Sequence, residues 1–259
     1  MPYSIVIPAR FAATRLPGKP LREIAGKPLL QHVYECARRT QARQIIIATD
    51  DERIQAAATA FGADVCMTSS HHQSGTQRIN EVILSRNIAD DEIIVNLQGD
   101  EPLMPAACIE QVADVLASNP LAQMSTLVTP VIHEDEVFDS NVVKVVVNKL
   151  GFALYFSRAS IPWQRGCYEQ HRIDHNDTWT CLRHIGIYSY RAAYIKEYVT
   201  LSPSPLEEIE SLEQLRVLWH GGNIAVGEAV EIPGPGVDTE KDFAKVSQLL
   251  ASSRVLSGD

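Results

Sequence analysis

The chain has 259 residues, 45% of them hydrophobic, with 23 Lys and Arg against 32 Asp and Glu and a formal net charge of −9. That composition supports a folded core and is too apolar for a disordered chain; the length fits one α/β domain with a lobe, or two small domains. The acid excess argues against nucleic acid or an anionic membrane surface as the main partner.

In chain order, residues 3–7, 44–48, 65–67, 93–97 and 124–128 read as buried strands: short, β-branched and bounded by polar or turn residues. Residues 29–40, 51–61, 76–85 and 106–117, lying between them, have helix-like spacing. Strand and helix alternating in this way predict a predominantly parallel, Rossmann-like sheet with helices on both faces. Ligands then bind at the carboxyl ends of the strands, so the residues just after each strand carry the functional signal. Residues 142–148, 153–157 and 184–190 look like strands without intervening helices, which predicts a smaller antiparallel insertion. A helix is expected over 206–219, where Leu206, Ile209, Leu212, Leu215 and Leu218 recur every three residues before Gly221-Gly222. A strand over 224–230 and a last helix from Thr239 complete the pattern. We expect a single domain over 1–259, with a first half at 1–130, a lobe over roughly 131–222 and a return to the main sheet over 223–259.

Cysteines at 36, 66, 108, 167 and 181 are odd in number and form no C-x-x-C pair, as expected of reduced thiols in a cytoplasmic protein. The N-terminus lacks a basic stretch before its short apolar run, unlike a signal peptide, and no apolar run approaches the ~20 residues that span a bilayer. Cys167, His171, His175 and Cys181 have zinc-ligand types, but without a compact knuckle they are read as an exposed loop over 165–181. No G-x-S-x-G elbow is present.

The charge is uneven. Residues 1–22 hold Arg10, Arg15, Lys19 and Arg22 and no acid. Pro8-Ala9-Arg10 through Thr14-Arg15-Leu16-Pro17-Gly18-Lys19-Pro20 follows the first strand and is neither a dinucleotide loop nor a Walker loop, since Ala13 and Pro20 stand where Gly and Ser/Thr are needed. Three cations at a strand end suit a polyanion: Arg offers bidentate donors to phosphate and Lys a point charge. Asp100 follows the strand at 93–97, and Asp238 follows a Gly-Pro-Gly turn. Two carboxylates from distant segments suit a hard cation that shares substrate phosphates; Asp238 could instead favour a helix capped by Thr239 and Asp242.

The motif P-A-R-x-x-x-T-R-L-P-G-K-P resembles the signature of nucleotidyltransferases that activate sugars with CTP or a related nucleotide. With His72–Thr76, Val95–Pro102, Ala153–Ala159, Arg183–Tyr188, Leu212–Arg216 and Gly236–Thr239 in order, the chain is similar to the 3-deoxy-manno-octulosonate (Kdo) cytidylyltransferases of lipopolysaccharide synthesis. The resemblance implies a homodimer that uses CTP, Kdo and Mg²⁺, with 1–130 as the nucleotide-binding half and roughly 131–222 as the sugar-binding and dimerisation lobe. It places Ala9, Arg10, Arg15, Lys19, Ser74, Gly75, Thr76, Arg78, Gln98 and Asp100 at the nucleotide. Gln98, Arg158, His184, Tyr188, Glu213 and Gln214 fall at the sugar, with Asp100 and Asp238 on the metal. It makes Asp100, Asp238, Lys19 and Arg15 catalytic. Several of these have plainer readings. Ser74 serves equally as a helix N-cap, Glu213 and Gln214 as a solvated helix face, and Arg158 as the partner of a protein carboxylate. Glu210 is assigned no role. A related acid sugar, such as an 8-amino-Kdo or a sialic acid, and a non-catalytic nucleotide-binding protein are the alternative readings.

Overall fold

The computed structural model describes residues 2–12, 16–170 and 181–257. Its first half runs β1 (Tyr3–Ala9), a 3-10 turn (Lys19–Leu21), the two-residue strands β2 (Glu23–Ile24) and β3 (Lys27–Pro28), and α1 (Leu29–Ala37). Then come β4 (Gln44–Thr49), α2 (Glu52–Ala60), β5 (Asp64–Met67), α3 (Gly75–Ser85), β6 (Ile93–Asn96), α4 (Ala106–Ala117) and β7 (Met124–Pro130). The second half holds α5 (Glu134–Phe138), β8 (Lys144–Val147), β9 (Ala153–Ser157), β10 (Leu182–Arg191), α6 (Ala192–Tyr198), α7 (Pro205–Glu210), α8 (Leu215–Trp219), β11 (Ile224–Glu228) and α9 (Glu240–Ser257).

The main sheet is ordered β11-β7-β10-β6-β1-β4-β5. β1 pairs in parallel with β4 and β6, as β4 does with β5 and β11 with β7. The predicted α/β class is what the chain adopts. The alternation along β1 shows how both faces are covered. Ile5 and Ile7 pack into the cluster that α1, α2 and α4 complete through Leu30, Ile54 and Ile109, whereas Val6 packs with Ile79, Val82 and Ile83 of α3. Strand pleating sends successive side chains to opposite faces, and each meets a helix.

Two features depart from the sequence reading. The strand expected at 184–190 is not confined to a lobe: β10 lies inside the main sheet, antiparallel to both β6 and β7. Its antiparallel course puts its first residues beside the C-terminal ends of those strands, since His184 is opposite Val128 and Tyr188 opposite Asn96. The helix expected over 206–219 is two. Ser204 and Glu207 form a reciprocal capping box that starts α7, and Ser211 ends it in the left-handed region with φ +52°. A strict three-residue repeat drifts off one face of a 3.6-residue helix, so the chain must break to bury Leu212 and Leu215; Ile209 is left 80% exposed.

No helix of the described residues is long and apolar enough to cross a membrane. All five cysteines are free thiols.

Candidate active site

The site forms at the carboxyl edge of the sheet, where the chain leaves β1 and β6. Gly99 makes this junction possible: a Cβ there would lie 2.9 Å from the Pro8 carbonyl oxygen. Only glycine lets the two backbones approach so closely. A cavity of about 220 Å³ opens beside them, lined by Ala9, Arg10, Lys19, Gly75, Gln98 and Asp100 among others. Gly75 is the first residue of α3, and Ser74 caps that helix by accepting the Gln77 N–H at 3.2 Å. The helix therefore brings its positive end to the cavity wall, where an anion is favoured. Arg10 adds a second attraction. Its Nη2 is buried and has no partner among the described residues. Burial, and Arg78 close by, lower its affinity for its proton, so an incoming anion relieves an unfavourable state. Arg15 lies outside the described residues.

Lys19 draws three distant segments together. Its Nζ is 2.6 Å from Asp100 Oδ2, 2.8 Å from the Val237 carbonyl and 3.3 Å from Asp238 Oδ1. The Val237 N–H donates to the Asp100 carbonyl at 2.9 Å, which ties the C-terminal turn to the end of β6. Asp100 and Asp238 thus converge on one cationic atom. Two carboxylates arranged around a single positive point are the hard oxygen donors that Mg²⁺ takes, so the residues present fit such an ion. Asp238 also precedes the cap expected of it: Thr239 and Asp242 exchange hydrogen bonds at the start of α9. Both readings of Asp238 are compatible, because the cap uses its neighbours. Glu101 was missed. Burial, with Asp100 and Asp238 adding repulsion, raises its carboxyl to about 8; the sequence offers no signal for this beyond adjacency to Asp100.

A polar network continues toward β10. Gln98 donates through Nε2 to Asn96 Oδ1 at 3.0 Å, leaving its Oε1 as an acceptor. Tyr188 donates its hydroxyl to Gln214 Oε1 at 3.2 Å, and the buried Gln214 Nε2 has no partner among the described residues. The Thr126 hydroxyl donates to the Ile187 carbonyl at 2.8 Å, so His184 Nε2 is the donor in its 2.9 Å bond to Thr126 and Nδ1 is left to accept. Burial away from water, which disfavours the charged ring, lowers the His184 imidazole to about 3. It is neutral at physiological pH. Thr76 Oγ1 lies 3.3 Å from both oxygens of Glu213, whose carboxyl is raised by burial and partly held down by that hydroxyl. Glu213 and Gln214 are therefore not a solvated face: the break after α7 turns them inward.

Arg78 and Arg158, expected at the nucleotide and the sugar, each hold protein groups. Arg78 is fully buried; Nη1 donates to Thr68 Oγ1, and Nη2 donates to Asp50 Oδ2 at 2.8 Å. It braces α3 against the ends of β4 and β5. Arg158 has Nε on the Glu210 carbonyl at 2.7 Å and Nη1 on the Ser140 carbonyl at 3.0 Å. The Glu210 carboxylate accepts from the Ser157 hydroxyl at 2.6 Å and the Arg158 N–H at 3.0 Å. Lys144, itself buried, donates to the carbonyls of Asp139, Val142 and Arg158. Glu210 and Lys144 thus fix the backbone and side chain around Arg158, roles that the sequence reading did not assign. Among the described residues no group of three or more His, Cys, Asp or Glu could hold a metal ion; His171 and His175 of the declined zinc set lie outside them.

A mostly parallel sheet with a basic loop, a helix N-terminus and paired carboxylates at one edge defines a nucleotide-handling transferase of the α/β class. A family model for cytidylyltransferases matches residues 4–228. The chain is 54% identical over 252 residues to the 3-deoxy-manno-octulosonate cytidylyltransferase of Photobacterium profundum, covering 96% of this chain and all of the relative. It is 55% identical to the protein of the same name from Tolumonas auensis, covering 97% of this chain and 98% of the relative. A solved structure of CMP:2-keto-3-deoxy-manno-octonic acid synthetase complexed with CTP superposes with a TM-score of 0.88, at 41% identity, over 98% of this chain and 100% of that one. The chain belongs to the cytidylyltransferase family, with the 3-deoxy-manno-octulosonate enzymes as its near relatives.

Proposed function

We propose that this chain transfers CMP from CTP to the anomeric hydroxyl of Kdo, forming CMP-Kdo and releasing pyrophosphate, for lipopolysaccharide synthesis. The observation that carries the reading is the convergence of Lys19, Asp100 and Asp238 beside a cavity bounded by the α3 N-terminus, in a chain whose relatives bear that name. Arg10, Arg15 and Lys19 take the triphosphate, and Ser74, Gly75 and Thr76 face the cytosine with backbone and hydroxyl groups. Ala9 lies against the nucleotide, and Arg78 supports it by holding α3. Asp100 and Asp238 hold Mg²⁺, which when bound neutralises charge on the triphosphate.

Acceptors and donors left open by the polar network, Gln98 Oε1, His184 Nδ1 and Gln214 Nε2, suit the hydroxyls of a sugar, together with Tyr188 and Glu213. Arg158 offers the remaining edge of its guanidinium to the sugar carboxylate. The anomeric oxygen attacks the α-phosphorus in line; the bond from that phosphorus to the bridging oxygen breaks, the hydroxyl proton passes to solvent water and pyrophosphate departs. Positioning and fixed charge supply the acceleration, with no covalent enzyme intermediate. The protein works as a cytoplasmic homodimer in this reading.

Purified protein with CTP, Kdo and Mg²⁺ should release pyrophosphate. An absence of release overturns the proposal, and faster turnover with an 8-amino-Kdo or a sialic acid reassigns the acceptor.

A further inference from the structure

We propose that Lys19 is an exchangeable internal cation: its ammonium occupies the point between Asp100 and Asp238 until the nucleotide draws it to the phosphates, so that the divalent ion is admitted only after CTP. This rests on the reading of the site as CTP- and metal-binding, and adds an order to it.

The geometry is specific. An ammonium has three hydrogens, and Lys19 has three acceptors: Asp100 Oδ2 at 2.6 Å, the Val237 carbonyl at 2.8 Å and Asp238 Oδ1 at 3.3 Å. Its coordination is full. The same side chain lines the cavity with Arg10 and Gly75, so its ammonium is one side-chain swing from the place where phosphates would lie. The parts also differ in freedom to move. The Val237 carbonyl is backbone, and both aspartates ride on short side chains from segments tied together by the Val237 N–H bond to the Asp100 carbonyl at 2.9 Å. Lys19, by contrast, sits at the end of a flexible four-carbon stem.

Charge supplies the exclusion. A divalent ion placed between these carboxylates meets an ammonium already in contact with both, and like charges at that separation repel strongly. A triphosphate offers the ammonium several anionic oxygens at once, and once Lys19 moves, the ammonium between the two carboxylates is gone. The first substrate thereby creates the demand for the metal. Metal arriving first must displace a bound cation.

Two binding measurements test this, neither with Kdo present. Mn²⁺ titrated without nucleotide, with the free ion followed by its paramagnetic resonance signal, should bind wild type weakly. It should bind Lys19→Met at least tenfold more tightly. Lys19→Arg, which keeps a cation, should stay as weak as wild type, and adding Asp238→Asn to Lys19→Met should remove the gain. CTP titrated calorimetrically in the presence of EDTA should bind wild type and lose at least tenfold in affinity with Lys19→Met. Lys19→Gln repeats both titrations should the Met variant prove unstable.

Equal Mn²⁺ affinity in wild type and in the Met or Gln variant overturns the exchange. So does unchanged CTP affinity in EDTA. Either result leaves the transferase reading standing, because that reading falls only with the pyrophosphate assay.

Discussion

Arg158 and Glu210 hold each other by opposite ends: Arg158 Nε donates to the Glu210 carbonyl at 2.7 Å, and the Glu210 carboxylate accepts from the Arg158 backbone N–H at 3.0 Å. A residue proposed to meet the sugar is thus aimed by one at the C-terminal end of α7. Glu210→Ala removes the carboxylate from the Ser157 hydroxyl and the Arg158 N–H together. Hydrogen bonds to charged groups contribute about 1.5–3 kcal/mol each. The variant should show a lower Tm and a KM for Kdo raised tenfold or more, with the KM for CTP within twofold of wild type. Steady-state kinetics with each substrate varied in turn checks this; an equal rise in both values would contradict it.

Asp100→Asn and Asp238→Asn should each cut kcat by about 10²–10⁴, the effect of losing a metal's transition-state stabilisation. Stability should change little in Asp238→Asn, whose side chain is 54% exposed. Near-normal turnover at saturating Mg²⁺ would remove either residue from the metal site.

Tyr188→Phe deletes the hydroxyl that satisfies Gln214 Oε1 and leaves both polar atoms of that buried amide without a partner among the described residues. An unsatisfied buried acceptor costs about 1–3 kcal/mol. We expect a lower urea midpoint and weaker Kdo saturation, measured by chemical unfolding and by initial rates. A variant as stable as wild type would show that Gln214 finds another donor.

His184 predicts a pH effect on stability rather than on catalysis. Its imidazole is lowered from 6.5 to about 3 by desolvation, between the Phe156 and Tyr188 rings and against Thr126. From pH 6.5 down to 3 the unfolded chain takes up a proton that the folded chain refuses. The contribution of His184 is therefore fully present above 6.5 and is lost as the pH falls. The urea midpoint of His184→Asn should fall less between pH 7 and pH 5 than that of wild type. Parallel slopes for the two proteins would rule this out.

Gly99→Ala should separate the loops after β1 and β6, because the added Cβ would lie 2.9 Å from a backbone oxygen that cannot rotate away. Overpacking of this kind costs about 1–3 kcal/mol. Activity should fall more steeply than stability, since the displaced backbones carry Arg10, Gln98 and Asp100. Calorimetry alongside the pyrophosphate assay separates the two.

Much of the first half was legible in the sequence because its signals are local. β-branched strands, the Ser74 cap and the acid-free loop each report on a few adjacent residues, and the structure places β1, β4, β6 and α1 to α4 within a few residues of expectation. What escaped depends on long-range partners. The place of β10 between β6 and β7 follows from pairing between residues about 50 to 100 positions apart. The break at Ser211 was hidden by leucines that fit a repeat of three as readily as a turn between two short helices. Glu210 and Lys144 have nothing distinctive beside them in the sequence, and their meaning lies in the carbonyls and N–H groups they reach across the fold.

The central position of β10 bears on attempts to re-engineer the acceptor. Among the described residues, His184 and Tyr188 lie on the strand that links β6 to β7 by hydrogen bonds in the sheet order. Exchanging residues 131–222 for the equivalent stretch of another protein would cut the main sheet in two unless the new segment brought a matching strand in the same register. On the proposed assignment of His184 and Tyr188 to the sugar, acceptor choice is therefore not a portable cassette. Variants that retune it should be sought as single side-chain changes on an intact β10, with its bulge between Ile185 and Tyr188 kept.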